Sequence, residues 1–137
     1  MQVKQILKDS FFEVLKNIEP SKLVDNKCNF NENQIIINKE VINLPKNKKI
    51  HLFGSGKEVL SMAKTIYEKL DNKIQSAVLV GAYDNTLEKQ NLSYIKSSHP
   101  IPSERSLKAA KSLKSSLEAL EEDDFFIYLL SGGNSAL

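Results

Sequence analysis

Cysteine occurs once in this sequence, at Cys28, and tryptophan not at all. A lone thiol excludes a disulfide framework and any metal site built on paired cysteines. Five glycines and four prolines in 137 residues exclude collagen-like and low-complexity chains. No apolar run approaches the roughly 20 residues needed to cross a bilayer. The opening "MQVKQILKDSFFEVL" carries acids among its apolar residues, unlike a signal peptide. An excess of one charge is missing too. Nineteen basic residues are interleaved with seventeen acidic ones, for a net charge of +2, so there is no polybasic stripe for nucleic acid. What is present is ordinary for a soluble domain: 41% hydrophobic and 26% charged residues, in a length that builds one core of modest size. The expectation is a soluble, cytoplasmic, single-domain protein with neither a nucleic-acid nor a membrane partner.

Along the chain, helix and strand patterns alternate. Val3, Ile6, Leu7, Phe11, Val14, Leu15 and Ile18 recur at three- and four-residue spacing, which makes one face of a helix apolar. Pro20 is read as the end of that helix, and "SKLVDNK" as a short further helical turn. "QIIINKEVINL" reads as two short strands about Asn38 and Lys39, a small hairpin, and "PKNKK" as a solvated connector. From position 48 the pattern becomes βαβ. "KIHLFGSG" is a strand opening into a glycine loop, and "KEVLSMAKTIYEKL" a helix with Val59, Leu60, Met62, Ala63, Ile66 and Leu70 inward. "SAVLVG" is a continuous apolar strand of the kind a parallel sheet buries on both faces. "LSYIKSS", "SERSLKAAKSLKSSLEAL" and "DDFFIYLL" supply a strand, a helix and a last strand. The fold class is therefore α/β: a Rossmann-like parallel sheet with flanking helices over 48–137, preceded by a helix and hairpin over 1–47.

Ligands of open α/β sheets gather at the carboxyl ends of the strands, where three loops carry chemistry. "FGSGKE" is neither a P-loop nor a dinucleotide fingerprint: Lys57 is followed by Glu58, and Val59 stands where a third glycine belongs. Gly54, Ser55, Gly56 and Lys57 form either a tight βα turn or the start of an anion site at a helix N-terminus. A lysine there opposes the helix dipole at a cost of roughly 0.3–1 kcal/mol, a conflict that an anion would remove. "SSHPIPSERS" holds His99 before Pro100, with Ser103 placed as an N-cap; it is a proline-braced loop, with or without a role for the imidazole. His51, inside a strand, reads as a packing residue. "LSGGNSA" places Ser131, Gly132, Gly133, Asn134 and Ser135 in a run of small residues whose N–H groups can converge on an anion. It departs from a nucleophile elbow because Leu137 stands where a glycine is needed.

Taken in order, "GSGKEVLSMA", "SSHPIPSERSLKAAKSL" and "FFIYLLSGGNSAL" resemble the N-terminal part of the glycerate 2-kinases that carry a MOFRL domain, weakly before position 49 and strongly after it. The resemblance implies phosphoryl transfer from ATP to the 2-hydroxyl of D-glycerate with a divalent metal such as Mg2+. It implies Lys57 as the catalytic lysine, and His99, Pro100 and Ser106 as the lining of the cleft. Gly54, Ser55, Gly56, Ser131, Gly132, Gly133, Asn134 and Ser135 become contacts to phosphate or glycerate oxygens, with no metal ligand among them. Hydroxypyruvate reductase, a name also given to such proteins, is not supported, for want of a dinucleotide fingerprint. Asn134 and Glu58 depart from the family pattern of glycine and alanine. The resemblance further implies that these residues form only the N-terminal part of a two-domain enzyme, inactive alone and prone to self-association or to pairing with a C-terminal half. The alternative is a non-catalytic anion- or nucleotide-binding module, or a subunit completed by a separately encoded half.

Overall fold

The computed structural model describes residues 2–31, 33–44, 46 and 48–137. Among them the elements run α1 (Gln2–Asn17), α2 (Pro20–Lys27), β1 (Cys28–Phe30), β2 (Gln34–Ile37), β3 (Glu40–Asn43), β4 (Ile50–Ser55), α3 (Val59–Leu70), β5 (Ile74–Gly81), β6 (Leu92–Lys96), α4 (Glu104–Glu118) and β7 (Phe125–Leu130). The connector read at 45–49 falls partly outside the described residues, at positions 45 and 47.

Pro20 does more than stop α1. It opens α2 within its first turn, where its missing N–H is an orphan anyway and its fixed φ suits a helix. The hairpin of β2 and β3 pairs Ile37 with Glu40 around a two-residue turn in which Asn38 and Lys39 have φ of 49° and 76°. Two positive φ angles are what a type I′ hairpin turn requires, and this one is made without glycine. Strand β1, too short for an alternation to register in the sequence, extends the hairpin to a three-stranded antiparallel sheet.

The second sheet is parallel throughout, in the order β6-β5-β4-β7. Side chains alternate across it, so the core is double. On one face Leu52, Leu79 and Leu129 pack with Val59, Ala63, Ile66 and Leu70 of α3. On the other, Phe53, Val78 and Val80 pack with Ala109 and Leu113 of α4. Each fully buried aliphatic or aromatic side chain contributes roughly 1.5–3 kcal/mol. Tyr67 and Thr65 of α3 are also buried, beyond the positions that apolar spacing selects. Helix α4 starts where expected. The Ser103 hydroxyl accepts from the Arg105 N–H at 3.1 Å, while the Ser103 N–H donates to Ser106 Oγ at 3.2 Å, a reciprocal cap worth about 1 kcal/mol.

Strand order decides where a ligand can sit. From β4 the chain moves outward to β5 and β6, then returns to the other side of β4 for β7. The carboxyl ends of β4 and β7 therefore flank the point where the winding reverses, the crevice in which open α/β sheets bind ligands.

Candidate functional site

Ser55 ends β4 and Leu130 ends β7, paired in register, so the loops that follow start side by side. They are laced together. The Ser131 N–H donates to Ser55 O (3.1 Å) and the Lys57 N–H to Gly132 O (2.9 Å). The Glu58 N–H donates to Ser131 Oγ (3.0 Å), and the Gly56 N–H reaches across to Val80 O of β5 (3.1 Å). Gly56 adopts φ +133°, and a Cβ there would overlap Ser131 Oγ and stand 2.7 Å from Ser131 O. At Gly54 the constraint is proximity: a Cβ would meet Val59 Cγ2 at 2.6 Å and Leu129 Cβ at 2.9 Å.

Of the two readings of Gly54–Lys57, this lacing favours the tight βα turn over an anion site built on amides at the start of α3. The N–H groups of Gly56, Lys57 and Glu58 are already committed to protein oxygens. Ser131 likewise spends its hydroxyl oxygen on capping α3 from a distant loop. Ser55 is buried, with its hydroxyl between Tyr128 OH (2.8 Å) and Asn134 Oδ1. Ser106 is buried as well: its Oγ donates to Ala136 O at 2.9 Å, tying the 131–137 segment to α4. These three serines hold the loops together, a role their small polar side chains did not disclose in sequence.

The side of the site open to solvent is made by Lys57, His99 and the Gly132–Gly133 turn. Gly133 adopts φ +84°, and its missing Cβ would stand 3.0 Å from Cδ2 and Nε2 of the His99 ring and 3.0 Å from Lys57 Cγ. The first, second and third loops thus meet at this glycine, where a Cβ would be both strained at that φ and tightly crowded. Gly132 is exposed, with nothing within 4 Å of where its Cβ would be. Asn134 and Ser135 follow in a short 3₁₀ turn, Asn134–Ala136, with Ser135 exposed.

Beyond Lys57 opens a cleft of about 520 Å3, lined among others by Lys57, Ser61, Lys64, Tyr83, Asp84 and Thr86. Its far wall is the loop after β5, a fourth carboxyl-end loop that sequence reading passed over because it contains no glycine or histidine. Two bonds shape that wall: Lys96 Nζ to Asp84 Oδ1 (2.7 Å), and Tyr94 OH to Tyr83 O (2.6 Å). Burial, then the Asp84 carboxylate, pushes the Tyr94 phenol up, which keeps that donor protonated. Lys57 and Lys64 have no ion-pair partner among the described residues, whereas Asp84 is paired with Lys96. Glu58 and Glu68 line the same cleft, so it is of mixed charge, with Lys57 at the end nearest the Gly132–Gly133 turn. Lys64 and Ser61 extend the Lys57 side at helical spacing, a signal readable in sequence once α3 is known to border a cleft. His51 stands apart, with Nδ1 2.9 Å from Ser76 Oγ. Among the described residues no group of three His, Cys, Asp or Glu side chains stands together as a metal site.

Three comparisons with known proteins bear on this site. The model of a family described as "Domain of unknown function (DUF4147)" matches residues 6–137. A glycerate 2-kinase of Pyrococcus horikoshii is 30% identical over 137 residues, covering 100% of this chain and 30% of that protein. A D-glycerate 2-kinase of Thermotoga maritima is 32% identical over 90 residues, 65% of this chain and 22% of that protein. Among solved structures, a crystal structure of a Pyrococcus horikoshii protein superposes with a TM-score of 0.81 at 30% identity, covering 100% of this chain and 30% of that one. The chain thus spans under a third of the length of these relatives.

Proposed function

The chain belongs to the family of the domain of unknown function DUF4147, and from that premise we propose that its site serves phosphoryl transfer from ATP to the 2-hydroxyl of D-glycerate. The observation that carries this reading is the meeting of Lys57, His99 and the Gly132–Gly133 turn at one exposed point, in a chain similar along its whole length to a glycerate 2-kinase. Phosphoryl transfer needs positioning and charge stabilisation more than covalent chemistry from the protein. Lys57 supplies a point charge for phosphate or carboxylate oxygens. The bare backbone at Gly132 lets such an oxygen approach without a side chain in the way. His99, on the other side of Gly133, is placed to donate a hydrogen bond to the same group. Among the described residues no three His, Cys, Asp or Glu side chains stand together to hold a divalent metal.

The lacing of the first and third loops gives the site its rigidity. The Lys57 backbone cannot shift without breaking its N–H bond to Gly132 O, so the root of its side chain is held beside the turn while the ammonium at its end stays free to reach a ligand. Within this reading the 137 residues form one wall of the site, and binding rather than turnover is the quantity to measure on them.

Calorimetric titration with Mg-ATP, and separately with D-glycerate, tests the proposal. Heat from one ligand that weakens roughly 10- to 150-fold in Lys57→Ala, the worth of a charge-assisted hydrogen bond, is the expected result. Equal affinity in the parent and the variant would remove Lys57 from the site and the proposal with it.

A further inference from the structure

Helix α1 is the anomaly of the molecule. It is 16 residues long, amphipathic, and buries none of its residues. Val3, Ile6, Leu7, Phe11, Phe12, Val14 and Leu15, with Ile18 just beyond, are exposed by 42% at Leu15 to 70% at Val3. A helix of this length gains its stability in water from packing an apolar face, so the face needs an occupant. Roughly half the area of the seven large side chains other than Phe12 amounts to on the order of 700 Å2, close to what one partner contributes to a standard protein–protein interface.

The spacing along the helix says which partner fits. Read from either end it is nearly the same: Val3 and Leu7 are answered by Ile18 and Val14, Ile6 by Leu15, and the centre falls between Ser10 and Phe11. A stripe that reads alike in both directions is complementary to itself under a two-fold axis perpendicular to the helix, the symmetry of an isologous dimer. We propose that α1 pairs with α1 of a second copy of this chain, antiparallel, with Val3 against the partner's Ile18 and Leu7 against the partner's Val14. Ser10, the small residue beside the axis, lets the two helices approach. Ile6 and Leu15 flank the seam. At about 100° per residue, Phe12 falls on the opposite side of the helix from Leu7 and Val14 and stays outside the contact.

The polar face favours a protein over a lipid surface. Asp9 and Glu13 stand between Lys4 and Lys8 on one side and Lys16 on the other, and Gln5 donates to Asp9 Oδ1 at 2.8 Å. A helix that lies on anionic membranes is rich in lysine and arginine on that face, without acids between them.

Sedimentation equilibrium of the purified chain tests this, with circular dichroism to confirm that each variant is folded. The expected mass is twice 15.4 kDa. It should fall to the monomer in the double variant Leu7→Glu, Val14→Glu and stay dimeric in Phe12→Glu. Orientation is read by oxidation in a Cys28→Ser background. Ser10→Cys should cross-link across the axis, whereas Val3→Cys should not, because each Val3 faces an Ile18. A monomer at every concentration overturns the proposal and leaves α1 to an occupant other than a second copy. A dimer indifferent to the double glutamate variant, or Val3→Cys linking as readily as Ser10→Cys, overturns it as well. None of these outcomes depends on whether the site binds ATP or glycerate.

Discussion

Two glycines of the site make opposite demands, and exchanging each for alanine separates architecture from ligand approach. At Gly56, φ is +133° and a Cβ would overlap Ser131 Oγ and press on Ser131 O at 2.7 Å. Neither the strain nor the clash relaxes easily, because Ser131 is fixed by its own bond to Ser55 O and by Glu58. A sparsely populated backbone conformation costs about 1–3 kcal/mol, and prising the two loops apart forfeits hydrogen bonds worth about 1 kcal/mol each. Gly56→Ala should therefore cost about 3–4 kcal/mol, which for a chain of this size lowers Tm by roughly 10 °C. Gly132 has open space where its Cβ would point and no positive φ. Gly132→Ala should leave Tm within about 2 °C of the parent, or raise it slightly by restricting the unfolded chain. Thermal melts by circular dichroism distinguish the two directly. Under the proposed function Gly132→Ala should also abolish phosphate-ligand binding while the fold is intact. A Gly56→Ala protein as stable as the parent would refute the account of the laced loops, whatever the binding data say.

Ser106→Ala removes a buried hydroxyl that serves both Ala136 O and the Ser103 N–H, and should lower stability by about 1–3 kcal/mol in urea titration; no change in the midpoint would mean that water replaces it. Ser131→Ala loses the cap on Glu58 and should cost about 1 kcal/mol, measured the same way and contradicted by an unchanged midpoint. The Tyr67 phenol is pushed up to about 12, by burial first and then by Asp71. A raised pKa means that stability is complete below about pH 10 and is lost as pH climbs toward 12, by roughly 1.4 kcal/mol per unit. Urea midpoints measured across that window should fall more steeply in the parent than in Tyr67→Phe, and parallel slopes would show that Tyr67 is not the group responsible.

What the sequence disclosed follows from how many residues carry each signal. The α/β class rests on whole segments: strand β5 is apolar over "SAVLVG", and α3 repeats its inward residues at helical spacing, so many side chains vote together. Strand β1 has three residues and no such vote, so it emerges only once β2 is there to pair with it. In the site, glycine and lysine were legible because their backbone and charge requirements are unusual. Which atoms were free was not, since that depends on what stands opposite. Ser131 looks like a phosphate ligand until β7 lands beside β4 and sets its hydroxyl against the Glu58 N–H. The same adjacency supplies the positive reading. Once the amides at the start of α3 are used up in joining the two loops, the groups left facing solvent are Lys57, His99 and the bare turn at Gly132. Strand order, which no local pattern encodes, is thus what brings three separate loops together around Lys57 and the Gly132–Gly133 turn.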